Sequence, residues 1–168
     1  EAMSRHEDSI AAYREALGIL EKAPGNNELS IAYLYINIGW SLAQIPRYDE
    51  AYAESERGLS LLQRASGSVM DRAGYVLNNM GIIRERQGRH AEAIALNLRS
   101  LVIYERFADI SQAPKRWALR SLSKSYSALG QNDKAILFAK LAVNTHQQIR
   151  EKNRELDQSS TQALTEGW

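Results

Sequence analysis

The three histidines, His6, His90 and His146, are the side chains in this chain best suited to acid–base or metal chemistry. None of them forms a recognisable catalytic pattern with a serine or a carboxylate. The chain has no cysteine, which excludes thiol catalysis, disulfides and zinc sites built on cysteine. It also lacks glycine-rich phosphate loops and carboxylates at metal-binding spacings. The sequence therefore predicts no catalytic residue, no metal and no cofactor.

The composition indicates a single soluble domain that acts away from nucleic acid and membranes. Of the 168 residues, 44% are hydrophobic and 24% are charged, which is ordinary for a globular protein. A net charge of +1 without a long basic run argues against nucleic-acid binding. No apolar run could cross a bilayer, and the chain does not open with a signal peptide. We expect a cytoplasmic location, although a chain without cysteine is also compatible with secretion.

Self-comparison reveals a repeat with a constant interval of 42 residues, marked by segments that begin at His6, Tyr48, His90 and Asn132. Small residues allow two helices to approach closely, and large apolar neighbours fill the groove beside them. Each unit is therefore predicted to be a pair of amphipathic helices, and His6 and His90 are expected to pack like Tyr48. The small residues recur in three columns: Ser9, Ala51, Ala93 and Ala135, then Ala16, Gly58, Ser100 and Ala142, and upstream Gly39, Gly81 and Ser123.

Apolar residues three to four positions apart predict seven helices. Gly88 and Gly130 are expected to form the turns inside the third and fourth units, with Pro46 in that place in the second. Beyond Arg154 the chain either forms a short helix capped by Asp157 or frays. The predicted helices are Glu7–Lys22, Glu28–Gln44, Tyr48–Ala65, Val69–Gln87, His90–Phe107, Gln112–Leu129 and Asp133 to about Arg154. The predicted loops between units are Ala23–Asn27, Ser66–Ser68 and roughly Ala108–Ser111.

These columns resemble the signature of tetratricopeptide repeats, most clearly in Leu77–Gly81 followed by Gly88–Ile94. The resemblance runs from about Arg5 to Gln148. It implies an all-α fold, a right-handed superhelical solenoid of antiparallel helix pairs. A period longer than the common 34 residues is similar to that of kinesin light chains and bacterial signalling arrays. The segment Ala135–Asn144 also resembles the repeats that precede caspase-like CHAT domains in bacteria.

We predict a single array over residues 1–168, with a half repeat at 5–27 and repeats at about 28–66, 69–108 and 111–154. Residues 155–168 form a tail or a capping helix. The half repeat lacks its leading helix, which suggests truncation from a longer array. The large aromatic residue usual at the twenty-fourth position survives only as Tyr13, and Ser55, Asn97 and Ala139 replace it.

The resemblance implies a concave groove lined by the first helix of each unit. Asn37 and Asn79 could hold a peptide main chain, since an amide both donates and accepts hydrogen bonds. Arg120 and Lys124, with Arg86 opposite, could bind a carboxylate. The plainer alternatives are a solvated polar face and ordinary packing of the aromatic residues. The predicted partner-binding residues are Tyr33, Asn37, Trp40, Gln44, Asn78, Asn79, Ile82, Arg86, Trp117, Arg120 and Lys124; Glu85 and Ser121 share the same face in this register.

The function that follows is a non-catalytic protein–protein interaction scaffold, holding a peptide or a partner helix in the groove. Its expected partner is a protein or peptide ligand, and an acidic one if the basic residues contact it. A second hypothesis is a regulatory or structural segment of a larger signalling or CHAT-protease protein, packed on a neighbouring effector domain. A third is self-association through the uncapped ends of the array.

Overall fold

The computed structural model describes residues 2–64, 70–106 and 112–166, with side chains at 3–64, 72–106 and 114–155. The described residues form helices and no strand, which confirms the predicted all-α solenoid of antiparallel helix pairs. The helices are α1 (Ala2–Leu20), α2 (Glu28–Gln44), α3 (Tyr48–Arg64), α4 (Met70–Arg86), α5 (His90–Arg106), α6 (Gln112–Ala128) and α7 (Asn132–Glu166).

Two predicted helix boundaries are wrong by more than two residues. Helix α1 begins at Ala2 rather than Glu7, and the Ser9 hydroxyl donates to the Arg5 carbonyl oxygen at 2.8 Å inside it. Helix α7 continues unbroken through Arg154 to Glu166, so residues 155–166 form neither a separate short helix nor a frayed tail. No glycine or proline interrupts that stretch. The predicted loops Ser66–Ser68 and Ala108–Ser111, with the helix ends beside them, lie outside the described residues.

Close packing of α2 on α3 depends on glycines in the small-residue columns. A Cβ atom added to Gly39 would lie 2.9 Å from the Ala51 carbonyl oxygen, and one added to Gly58 would lie 2.9 Å from that of Ala32. Backbone oxygens cannot move aside without shifting a helix. The same pairing of a first and a second helix recurs in α4–α5 and α6–α7, while α3 packs on α4 and α5 on α6.

The turns within the third and fourth units form at the predicted glycines. Gly88 and Gly130 have φ angles of 74° and 70°, in the left-handed region that favours glycine. The amide of Arg89 donates to the Arg84 carbonyl oxygen at 2.8 Å at the end of α4, and the amide of Gln131 donates to the Tyr126 carbonyl oxygen at 2.9 Å at the end of α6. These bonds satisfy carbonyls that a helix end leaves without partners, so α4 and α6 end where the sequence predicts a turn.

Two apolar clusters form the core and run along the solenoid axis. The first joins α2, α3, α4 and α5 through residues such as Leu62, Val76 and Met80. The second joins α1, α2 and α3 through Leu42 and also takes in Ile83 of α4. Because α2, α3 and α4 contribute to both clusters, the first three units share core residues rather than stacking as separate pairs.

Candidate peptide-binding groove

The first helices α2, α4 and α6 lie side by side and line a cavity of about 350 Å³, called here the central cavity. Helix α2 contributes one side chain, while α4 and α6 contribute four each. Seven of the eleven predicted partner-binding residues meet in this one place. The lining residues are Trp40, Asn79, Ile82, Glu85, Arg86, Trp117, Arg120, Ser121 and Lys124.

Three predicted residues lie outside the central cavity but near the same helices. Tyr33 lines a separate, smaller cavity with Arg72, whose guanidinium carbon is 4.8 Å from the centroid of the Tyr33 ring. Asn37 is exposed on α2. Gln44 is half-buried, and its amide nitrogen lies 3.5 Å from the Trp40 carbonyl oxygen. The structure therefore does not bring these three together with the others.

Asn78 is a correction to the predicted groove. Its side chain is fully buried, and its Nδ2 atom donates to Oδ1 of Asn97 at 2.7 Å. Consecutive helix residues differ by about 100° around the axis, so Asn79 turns toward the groove while Asn78 turns into α5. Asn78 is consequently an interior structural residue and is unavailable to a partner.

Two tryptophans form the apolar sides of the central cavity. Trp40 on α2 is 40% exposed and Trp117 on α6 is 41% exposed. Helix α4 lies between them and places the half-buried side chain of Ile82 on the same cavity. Large aromatic surface left open beside a concave site is typical of binding anchors.

Glu85 gives the cavity an acidic group that we did not select from the sequence. Its Oε1 atom lies 3.4 Å from Nζ of Lys124, and its Oε2 atom accepts a 2.5 Å hydrogen bond from the Ser121 hydroxyl. Lys124 is therefore already partly neutralised. Glu85 and Ser121 occupied groove positions in the repeat register. Their contact could therefore have been predicted from a carboxylate of the third unit that faces a lysine of the fourth.

The two arginines of the cavity have different roles. Arg86 Nη1 donates to the Ala43 carbonyl oxygen at 2.8 Å, near the end of α2 where carbonyls lack intrahelical partners. This bond ties α4 to α2 through one guanidinium nitrogen, while Arg86 still lines the cavity together with Arg120 and Lys124. Arg120 has no hydrogen-bond or ion-pair partner among the described residues.

A chain of side-chain hydrogen bonds connects the cavity wall to the core. Asn97 accepts from Asn78, and its Nδ2 atom lies 2.9 Å from the Ser121 hydroxyl, which in turn donates to Glu85. Asn97 fits there because Gly81 faces it: a Cβ atom on Gly81 would be 2.4 Å from Asn97 Nδ2. This network fixes the position of Glu85 at the junction of the third and fourth units.

Comparisons with known proteins agree with this architecture. Residues 72–148 match a family model described as Tetratricopeptide repeat, whereas no curated protein matches the chain. BtubC (BKLC) from P. vanneervenii has a similar structure, with a TM-score of 0.77 and 20% identity over 88% of this chain and 59% of that one. Aspartyl phosphate phosphatase F from Bacillus subtilis has a TM-score of 0.77 and 16% identity over 87% and 37%.

At these identities the two structures show a common fold and nothing about activity. The chain spans 59% of the first and 37% of the second. No helix among the described residues is both long enough and apolar enough to cross a bilayer. Nor do three potential metal-ligating side chains gather anywhere in the described part of the chain. The family-model match covers residues 72–148, and the stacked helix pairs on either side of it have the same fold as the two solved structures.

Proposed function

We propose that the chain is a non-catalytic protein-interaction scaffold that holds a peptide segment of a partner in its central cavity. The observation that supports this most strongly is the convergence of two half-exposed tryptophans and one arginine without a protein partner. They come from α2 and α6 and line a single cavity. Tetratricopeptide repeats are protein-interaction modules, and their first helices form the groove. A cytoplasmic location is part of the same proposal.

The cavity chemistry favours a segment with a large apolar side chain close to an acidic one. The apolar side chain would lie between Trp40 and Trp117 over Ile82, where burial of aromatic surface gives most of the binding energy. A carboxylate would form a charge-assisted hydrogen bond with Arg120. A cavity of about 350 Å³ holds one or two side chains, so the rest of the peptide would lie along the open groove.

Selection from a library of random peptides on the immobilised protein tests this proposal. Enriched sequences should combine aromatic or large aliphatic residues with Asp or Glu. The variants Trp40→Ala, Trp117→Ala and Arg120→Ala should each weaken binding of a selected peptide. Leu98→Ala is the matched control, because Leu98 on α5 is 39% exposed, like the tryptophans, but lies outside the cavity.

Salt dependence separates the contributions to that binding. Affinity for the selected peptide should fall as salt is added, and Arg120→Ala should reduce this dependence, because exposed charges are screened beyond about 8 Å at physiological ionic strength. Asn79→Ala should weaken binding with the salt dependence retained, because a neutral hydrogen bond contributes about 0.5–1.5 kcal/mol. Full affinity in all four cavity variants would place the binding surface elsewhere.

One observation favours the second function, packing of the array on a neighbouring effector domain. Leu98 and Val102 lie four residues apart on α5, on one face of the helix, and are 39% and 69% exposed. An apolar pair on a second helix suits contact with another domain, including the CHAT domain suggested by the resemblance. Charged substitutions at both positions should then disturb the larger protein without affecting peptide binding in the groove.

A further inference from the structure

Helix α7 has an apolar face that is covered in the equivalent helices but open here. The 42-residue interval aligns Val143 with Leu101 of α5 and Leu59 of α3. Leu59 is 6% exposed and Leu101 is half-buried, whereas Val143 is 56% exposed. Ile136 is 54% exposed, while its counterparts Tyr52 and Ile94 are half-buried.

A following first helix covers this face in each interior unit. On α5, Asn97 Nδ2 donates to Ser121 Oγ of α6, and Ala139 takes the place of Asn97 on α7. On α3, Leu59 belongs to the cluster that contains Val76 and Leu77 of α4. The face of α7 is therefore built like an interior helix–helix interface, and none of the described helices covers it.

A second cavity, of about 410 Å³, lies beside this face between α6 and α7. Its apolar floor consists of Ala139, Ala142 and Val143. Its rim is basic, because Arg116, Arg120 and Lys124 follow one another at four-residue spacing along one side of α6. None of the described carboxylates lines this cavity, although Glu85 of the central cavity lies 3.4 Å from the Lys124 ammonium and partly neutralises it.

His146 holds one of the rim cations in place without neutralising it. The Nη1 atom of Arg116 lies 2.7 Å from Nδ1 of His146 on α7. A guanidinium can only donate, so the imidazole nitrogen is the acceptor in this contact. Arg116 is thereby oriented across the cavity while its positive charge stays uncompensated.

We propose that the open face of α7, formed by Ile136, Ala139 and Val143, docks an amphipathic helix of a partner protein with acidic residues along one edge. Its apolar stripe would lie on α7, as α4 lies on α3 and α6 on α5. Its carboxylates would meet Arg116, Arg120 and Lys124. The site is separate from the central cavity, although Arg120 and Lys124 line both.

A pair of designed helices tests the charge requirement. Each fluorescently labelled peptide has about five turns, roughly 18 residues, with leucines at three- to four-residue spacing. The flanking residues are glutamate in the probe and lysine in its control. Fluorescence anisotropy should show binding of the glutamate peptide only. Equal binding of both peptides, or of neither, would overturn the proposal.

A matched pair of α7 variants tests the surface. Val143→Asp should weaken binding of the glutamate peptide by about tenfold or more, because burial of a valine-sized side chain strengthens affinity by about that factor. Leu137→Asp is the control: Leu137 is 53% exposed but lies about 120° around the helix from Val143. Circular dichroism should show both variants equally helical. An equal loss in both variants, or none in either, contradicts the proposed face.

Two further variants and a sedimentation measurement distinguish binding at this site from binding in the groove and from self-association. Trp40→Ala should leave binding of the glutamate peptide unchanged while weakening the peptide selected on the groove, since Trp40 lines only the central cavity. Arg116→Ala should weaken binding of the glutamate peptide but not binding of the peptide selected on the groove. If sedimentation shows a dimer that Val143→Asp dissociates, the occupant of this face is a second copy of the chain and the proposal is wrong.

Discussion

Gly39 and Gly18 occupy helices, but their surroundings are opposite. Beside Gly39, the Ser55 hydroxyl and the Ala51 carbonyl oxygen would lie 2.5 Å and 2.9 Å from an added Cβ atom. Around Gly18, nothing lies within 4 Å of that position. The first glycine is therefore required by the approach of α3, while the second only adds flexibility to the unfolded chain.

We expect Gly39→Ala to lower the free energy of unfolding by about 1–3 kcal/mol, because the extra methyl group meets backbone. Gly18→Ala should raise the free energy of unfolding by about 0.4–1 kcal/mol through helix propensity and reduced chain entropy. Urea denaturation monitored by circular dichroism measures both. If Gly39→Ala is as stable as Gly18→Ala, the close approach of α2 and α3 is incorrect.

Asn97 is the residue on which the interior polar network depends. Its replacement by alanine removes the acceptor for buried Asn78 and the donor to Ser121. An unpaired buried polar group costs about 1–3 kcal/mol, so Asn97→Ala should destabilise by that amount. Asn144→Ala, at an exposed position of α7, is the control and should change stability little. Equal urea midpoints for the two variants would contradict a structural role for the network.

At the scale of the helices, the sequence predicts best where a residue has a single conformational preference. Gly88 and Gly130 are such residues, and the turns that end α4 and α6 form there. The end of α7 could not be predicted in this way. Asp157 is compatible with a helix cap, but an aspartate is also tolerated inside a helix. The residue type alone therefore does not distinguish a new helix that begins at Asp157 from an unbroken α7.

The turn at Gly88 gives a test at this scale. Gly88→Ala should destabilise the protein by about 1–2 kcal/mol, because a Cβ atom is strained at a φ angle of 74°. Gly88→Asn should cost less, since asparagine tolerates this conformation. Open space around Gly88 removes steric clash as an explanation. Thermal melts should rank the proteins as wild type, Gly88→Asn and Gly88→Ala, and any other order contradicts the turn.

Across the whole molecule, the repeat interval made the groove predictable because it specifies which helix faces align. It could not specify side-chain partners. Asn78 and Asn79 look equivalent in the sequence, yet only Asn79 lines the cavity, where 5% of it is exposed, while Asn78 is fully buried. The sequence predicts Arg86 and Lys124 to be cations without partners. In the structure, Arg86 donates to the Ala43 carbonyl oxygen and Lys124 lies beside Glu85. Such contacts depend on distances between units, which no repeat pattern contains.

The stacked architecture also predicts how far along the chain a core substitution reduces local stability. Ala93 is fully buried, so Ala93→Leu should overpack α5 and destabilise by about 1–3 kcal/mol. Ala95→Leu, on the exposed side of the same helix, is the control. Because repeats contact mainly their neighbours, hydrogen exchange should accelerate in α4, α5 and α6 more than in α1. Uniform acceleration along the chain would instead indicate a single cooperative unit.

The length of α7 has a mechanical consequence. It contains 35 residues against 17 in α6, so it measures about 50 Å and roughly half of it extends past its partner helix. A rigid rod anchored at one end acts as a lever. A small change in the angle between α6 and α7 becomes a displacement of several ångströms at the far end, about 25 Å beyond the last contact. A change in the packing between α6 and the first half of α7 would therefore move any protein segment that contacts the far end of α7.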